Sequence, residues 1–279
     1  MIRLGNTHDW IDGSQPINRK SPFAKGLVSA YIATPRGPSG FNSGIWRDFG
    51  ANKSNGTLTN GPTWSGLAKP GGFGSLYVTE TSARHVVIPS TGLPNATADV
   101  TVTAWVYPTT FSNWGMFVGQ SNNLNHFLVR YGMYSNGNTS GLYGNVAGSF
   151  TLHSSALTLN AWNFIAISNN ATEFLFAIND TIDTAAAKSA PTSDSIDWKI
   201  GNWGTDTFPP TAYVDDVRIY SVGHNANTLR AIKAESLLGY PTLLNRISRP
   251  MAYPASAAAA GQFWVVGGGN GGASSVIGA

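Results

Sequence analysis

From Ser75 onward, apolar and polar residues alternate in short runs divided by turn formers. "SLYVTE" (75–80), "HVVIP" (85–89), "DVTVTAWVYP" (99–108), "WGMFVGQ" (114–120) and "HFLVRYGM" (126–133) each read as a strand. "GLYGNV" (141–146), "WNFIAIS" (162–168), "EFLFAIN" (173–179), "IDWKIGNW" (196–203) and "AYVDDVRIY" (212–220) continue the series, and "GLVSAYIA" (26–33) precedes it. Gly, Asn or Pro separates nearly every pair, and "SNNATE" (168–173) has hairpin-loop composition. Consecutive hairpins make antiparallel sheets, and this many strands need two of them packed face to face. The pattern predicts an all-β antiparallel sandwich with one short helix over "NANTLRAIKAESLL" (225–238). There Leu229, Ile232, Leu237 and Leu238 fall near one face, Asn225 or Asn227 caps the start, and Gly239 and Pro241 end it.

The flanks break the rhythm. Residues 1–26 read as an extended N-terminal arm, 27–240 as the sandwich and 241–279 as an Ala- and Gly-rich tail. The stretch 34–64, dense in Gly, Asn and Ser, reads as a long loop of turns. Tail composition favours a flexible segment, whereas "QFWVV" (262–266) would expose an apolar patch unless it docks; both readings stay open.

Composition narrows the functions. Of 279 residues 42% are hydrophobic, ample for a core, and only 11% are charged. A net charge of +3 with scattered Lys and Arg gives no footprint for nucleic acid. The absence of cysteine removes disulfides, thiolate metal sites and cysteine catalysis. "MIRLGNTHDW" lacks the apolar core of a signal peptide, and no apolar run nears the ~20 residues that span a bilayer, so no membrane insertion is expected.

"TADVTVTAWVYP", "LNAWNFIAIS", the hairpin into "FLFAIND", and "AYVDDVRIY" followed by a short helix together resemble one family. Their order and spacing over about residues 75–238 are similar to a laminin-G-like jelly-roll domain of the concanavalin A-like lectin/glucanase superfamily. "INRKSPFAKGLVSAYI" and "RDFGANKSNGTLTNGPTW" resemble lead-in segments of such domains in phage and environmental bacterial proteins. The resemblance implies a two-sheet antiparallel jelly roll; it does not fix a function, because such folds host lectins, adhesion modules and glycosidases alike.

Two adjacent carboxylates sit inside "AYVDDVRIY". Strict alternation puts Asp215 on one face with Tyr213, Val217 and Ile219, and Asp216 on the other with Arg218. A carboxylate on an apolar face needs compensation. N–H groups of a neighbouring loop would serve; so would Ca²⁺, which takes carboxylates and carbonyls. The resemblance implies a structural calcium at Asp215, with Asp48 and the carbonyls of "DFGANKSNG" brought near it.

Catalytic constellations are weak. A retaining glucanase needs two carboxylates about 5 Å apart on one face, in this fold family as Glu-x-Asp-x-x-Glu. The three Glu present, Glu80, Glu173 and Glu235, lack a second acid at strand spacing, and alternation would point Asp215 and Asp216 to opposite faces. The five His show no metal spacing, and no Gly-x-Ser-x-Gly elbow occurs. Among nine Trp, Trp105 and Trp162 fit core positions of the strand motifs, while Trp114 and Trp203 lie beside Gly/Asn loops and are the candidate ligand contacts. The reading is a non-enzymatic carbohydrate-binding or adhesion module in a virion or on an extracellular surface, partnered by a glycan or a neighbouring structural protein. It is expected to be homo-oligomeric or particle-associated. The alternative is a phage capsid decoration or tail protein without glycan binding, and a glycoside hydrolase is the outsider.

Overall fold

The computed structural model describes residues 18, 20–33, 44–79, 83–95, 99–111, 115–121, 129–135, 140–191, 196–202 and 210–238. Most of the N-terminal arm, the tail, Trp114, Trp203, Glu80, His8 and His126 lie outside them. Within them the chain forms strands β1 Leu27–Tyr31, β2 Ile45–Trp46, β3 Gly56–Thr59, β4 Thr63–Ser65, β5 Ser75–Val78, β6 His85–Ile88, β7 Val100–Thr110 and β8 Met116–Ser121. There follow β9 Val129–Ser135, β10 Gly141–Val146, β11 Ser149–Ala156, β12 Asn163–Asn169, β13 Glu173–Ile178, β14 Thr181–Ala186, β15 Trp198–Ile200, β16 Thr211–Tyr220 and helix α1 Ala226–Leu237.

Two antiparallel sheets of eight strands stack as the expected sandwich. Sheet I runs β14-β13-β12-β7-β16-β5-β4, with β1 also on β16; sheet II runs β11-β10-β9-β8-β15-β6-β3-β2. Their inner faces interdigitate through Val102, Ala104, Val106, Ile165, Ile167, Val214, Val217 and Ile219 from sheet I and Val86, Ile88, Val118, Tyr131, Met133, Trp198 and Ile200 from sheet II. Burying such side chains stabilises by about 1.5–3 kcal/mol each relative to exposure. A second apolar layer, with Leu27, Ala30, Trp105, Phe164, Leu175 and Tyr220, lies on the outer face of sheet I and packs against Leu229 and Ile232 of α1.

The five strands that alternation does not reveal share a cause. β2, β4, β11 and β14 are edges, and β3 lies next to the edge β2. An edge buries little, so "SFTLHSSA" and "TIDTAA" carry polar residues where a central strand carries Val or Ile. The stretch 34–64, expected as turns alone, therefore contains β2, β3 and the start of β4 in its described part.

The helix starts as expected: the Asn225 side chain accepts from the Thr228 N–H. Its packed face differs from the expected one. Leu229 and Ile232 are buried, but Leu238 is 70% exposed, and Glu235 and Ser236 are buried instead. Apolar spacing overlooked a polar lock at the end of the helix.

Candidate functional site

Strand β16 is where the chemistry collects. One edge pairs with β7 along its length; the other is shared, with β5 on Ala212–Val214 and β1 on Val217–Tyr220. Asp215 and Asp216 occupy the handover between these two partners. The register against β7 slips between Asp215 and Arg218, and Asp216 has φ of 51°. This is a β-bulge whose extra residue takes the left-handed conformation that Asp tolerates better than most residues.

The bulge overturns the strict alternation expected for this strand. Val214, Val217 and Ile219 face the core, while Asp215 pairs with Trp105, and Arg218 and Tyr220 join the outer side beneath α1. Asp215 therefore does not share a face with Val217 and Ile219. Nor do the two carboxylates diverge: Asp216 binds Arg218, which reaches Glu235 of α1 from the same side.

The result is a buried ionic cluster. Arg218 Nε and Nη2 donate to Asp216 Oδ1 and Oδ2 at 2.7 and 3.1 Å, and Nη2 donates to Glu235 Oε2 at 3.0 Å. Lys69, from the turn before β5, places Nζ 4.0 Å from Asp216 Oδ2 and donates to the Ser236 carbonyl at 2.7 Å. That carbonyl belongs to the last turn of α1, whose carbonyls have no i+4 N–H within the helix. Trp105 Nε1 donates to Ser236 Oγ at 2.9 Å, so Trp105 is the core residue expected, with a polar task added. Asp215 Oδ1 accepts the Ala33 N–H at 2.8 Å, which is the N–H compensation the sequence allows for. Burial, with Asp216 beside it, lifts the Asp215 carboxyl to about 7; burial also lowers Lys69, against the pull of the carboxylates.

Asp48 lies on the far edge of β1. Its Oδ1 accepts the N–H groups of Ala30 (2.8 Å) and Gly50 (2.6 Å), and its Oδ2 accepts Ser29 Oγ (2.7 Å) and the Ser54 N–H (2.9 Å). The first long loop does approach this region, as expected, but it lies along β1 with Asp48 bonded at Ala30, while Asp215 is bonded at Ala33. Four donors surround Asp48, a set that suits a carboxylate; the residues present do not fit a calcium ion shared by Asp48 and Asp215. Burial raises the Asp48 carboxyl, and the four hydrogen bonds lower it in part. Lys69 and Glu235 were not expected as members of the β16 cluster. A lysine beside "PGG" and a helical glutamate look solvated in one dimension, and 167 residues separate Lys69 from Ser236.

The candidate ligand contacts Trp114 and Trp203 lie outside the described residues. Thr211 pairs with Thr110 at one end of sheet I. Near that end the outer face of sheet I carries a row of rings. Tyr77 and Tyr213 lie 4.8 Å apart, Tyr213 and Tyr107 5.8 Å, and Tyr107 and Trp162 5.7 Å, all four half-buried. The ladder sets this row, because Tyr213 is the register partner of both Tyr77 and Tyr107. Trp162 is half-buried and packs against the apolar layer of the outer face of sheet I, not in the core between the two sheets. On sheet II the outer side holds Met116, Tyr134, Tyr143 and Phe150, with Leu152 48% exposed.

Comparison with known proteins agrees with this architecture. No curated protein sequence matches the chain. Among solved structures, the binding domain of Paraclostridial Mosquitocidal Protein 1 superposes with a TM-score of 0.55 at 12% identity over 75% of this chain and 52% of that one. Trypanosoma rangeli sialidase in complex with sialic acid gives 0.55 at 10% identity over 75% and 33%. Domain 4 of AbnA, an extracellular arabinanase from Geobacillus stearothermophilus, in complex with arabinotriose gives 0.55 at 15% over 74% and 97%. The chain thus spans about half of the first of these proteins and a third of the second, and identities this low speak for the fold alone. Residues 80–229 match the laminin-G-type model described as the concanavalin A-like lectin/glucanases superfamily. With the jelly-roll sandwich around it, that match covers more than half of the chain, which therefore belongs to this superfamily.

Proposed function

We propose that this chain is a non-enzymatic carbohydrate-binding or adhesion module, and that its ligand surface is the end of the sandwich bearing the Tyr77–Tyr213–Tyr107–Trp162 row. The row carries the proposal. Tyr and Trp combine an apolar face, on which a sugar ring stacks, with a polar edge that accepts or donates hydrogen bonds. Rigid aromatic rings also lose little conformational freedom on binding. Structural neighbours in complex with arabinotriose and with sialic acid support a saccharide as ligand class.

The carboxylates support a binding role over hydrolysis. Glycoside cleavage needs two acids flanking a bond in an open cleft. Among the described residues, the adjacent pair Asp215 and Asp216 is 0% and 2% exposed beneath α1, and Glu235 is held by Arg218. Their separation from substrate rests on this burial.

A glycan array probed with the full chain, followed by titration calorimetry on the best hit, tests the proposal. Tyr213→Ala, at the middle of the row, is expected to weaken binding about tenfold or more, as hot-spot aromatics do. Trp203→Ala and Trp114→Ala are expected to weaken it without moving the melting temperature. An array without hits, or unchanged affinity in Tyr213→Ala, overturns the proposed surface; sugar release by the purified chain overturns the non-enzymatic reading.

A further inference from the structure

The aromatic row has two unlike ends. It crosses four neighbouring strands of sheet I, with Tyr77 on β5, Tyr213 on β16, Tyr107 on β7 and Trp162 just before β12. Strands lie about 4.8 Å apart, so three steps carry the row over about 14 Å. Tyr107 stands at 65° to Trp162 and at 80° to Tyr213, while Tyr77 and Tyr213 are tilted by 40°. The row therefore offers ring faces and ring edges in turn instead of one flat plate. At the Trp162 end the Asn160 N–H donates to the Pro108 carbonyl at 2.9 Å, and Leu159 beside it is 42% exposed. At the Tyr77 end stands Arg84. Thr79, two residues after Tyr77, bridges to Arg84, and its carbonyl accepts the Arg84 backbone N–H at 3.2 Å. Arg84 Nε is buried without a hydrogen-bond partner, and among the described residues no carboxylate pairs with the guanidinium. A guanidinium left without an acid is a planar fork of donors suited to a carboxylate. Arg218 of the same sheet shows the contrast, because Asp216 and Glu235 both hold it.

Resting on the reading of this row as the ligand surface, we propose that it is a series of subsites for an extended acidic saccharide. A chain of three or more sugar units lies across β5, β16, β7 and β12, and a carboxylate of that chain pairs with the Arg84 guanidinium. Length follows from the span of the row: a single sugar ring covers one or two of the four side chains, and only a chain engages both ends. Direction follows from the ends themselves, apolar at Leu159 and cationic at Arg84. Charge follows from Arg84. A neutral chain leaves its guanidinium as unpaired in the complex as in the free protein, whereas a carboxylate supplies the acceptor that the fold withholds.

An array bearing neutral, uronic-acid and sialylated glycans, probed with the full chain, is expected to give acidic hits. Calorimetry with the best hit, taken from its monosaccharide to its tetrasaccharide, is expected to show affinity rising up to at least the trisaccharide and falling with added NaCl. Arg84→Gln is expected to keep the melting temperature and to lose roughly tenfold or more of the affinity for the acidic hit. Arg84→Lys, with the charge but not the planar fork, is expected to recover part of it. Neutral hits as tight as the acidic ones, undiminished affinity in a folded Arg84→Gln, or a monosaccharide bound as tightly as the trisaccharide overturns the proposal. In those cases a loss of affinity in Tyr213→Ala leaves the ligand surface itself standing. An array without hits, or no loss in Tyr213→Ala, overturns both. Should Arg84→Gln not fold, the methyl ester of the best acidic hit is titrated into the natural chain instead: weaker binding than the free acid supports the proposal, and equal binding overturns it.

Discussion

Asp215→Asn probes the electrostatics of the break in β16 through a change of sign with pH. Burial, reinforced by Asp216, lifts this carboxyl from 3.8 to about 7, and Lys69 with the N–H groups of Ala33 and Asp216 offsets only part of the lift. Between those two pH values the folded chain keeps a proton that the unfolded chain has released. Stability from this group is complete below the unfolded pKa and is lost as pH rises through 7. About 3 pH units at about 1.4 kcal/mol each make the loss about 4 kcal/mol. Asparagine does not ionise and still offers an oxygen to the Ala33 N–H. The stability of the variant minus that of the natural chain is therefore expected to climb by about 4 kcal/mol from pH 4 to pH 8, on the order of 10 °C in melting temperature.

His224 acts in the opposite sense. Burial, helped by the charge of Lys25, holds its imidazole down at about 4. Its contribution is complete above the unfolded pKa of 6.5 and is lost as pH falls through 4. In the natural chain the two slopes oppose each other where they overlap; in Asp215→Asn the histidine slope is unmasked, so the variant weakens on acidification below pH 6.5. Urea unfolding at half-unit pH steps measures both curves. Groups that titrate alike in the two chains drop out of the difference. A difference curve that stays level from pH 4 to pH 8 refutes the assignment of a buried, proton-holding Asp215.

Two further outcomes follow from the packing. Arg218→Met strands Asp216 and Glu235 in the interior and is expected to cost about 3–5 kcal/mol in urea unfolding; adding Glu235→Gln should cost less than the two single changes together, and strict additivity counts against the ion pair. Gly132→Ala sets a Cβ against the Tyr134 hydroxyl and ring, too close for the ring to remain in place, and is expected to cost about 1–3 kcal/mol by thermal melting; a variant as stable as the natural chain shows that the ring does not lie there.

The fold was legible because β7 and β12 are buried on both faces and spell long Val-, Ile- and aromatic-rich runs. The edges β11 and β14 were not, since polar residues satisfy strands that bury little. The candidate site divides along the same physical line. "DDVRIY" announced a cost, because two carboxylates inside a strand need compensation in any arrangement. What compensates them depends on contacts that no local pattern encodes: Lys69 comes from before β5, Glu235 and Ser236 from α1, and Ala33 from the end of β1. The aromatic row shows the same limit, since Tyr77, Tyr107 and Tyr213 become neighbours only when β5, β16 and β7 are placed in register.

The bulge at Asp216 is the step on which the functional argument turns. Period-two counting assumes an unbroken ladder, yet β16 exchanges β5 for β1 at this residue, and the left-handed φ resets the count. The divergence of the two carboxylates that alternation implies is therefore lost, and with it the geometric reason for setting them aside as a catalytic pair. A different reason replaces it. Bringing both acids to one side of the strand forces the fold to supply positive charge there. Supplying it through Arg218, Lys69 and the end of α1 closes the site to anything as large as a sugar. The feature that made the pair conspicuous in sequence is thus the one that fixes the helix to the sheet, and the ligand surface proposed above is the aromatic end of the sandwich, where the outer face carries rings instead of buried charge.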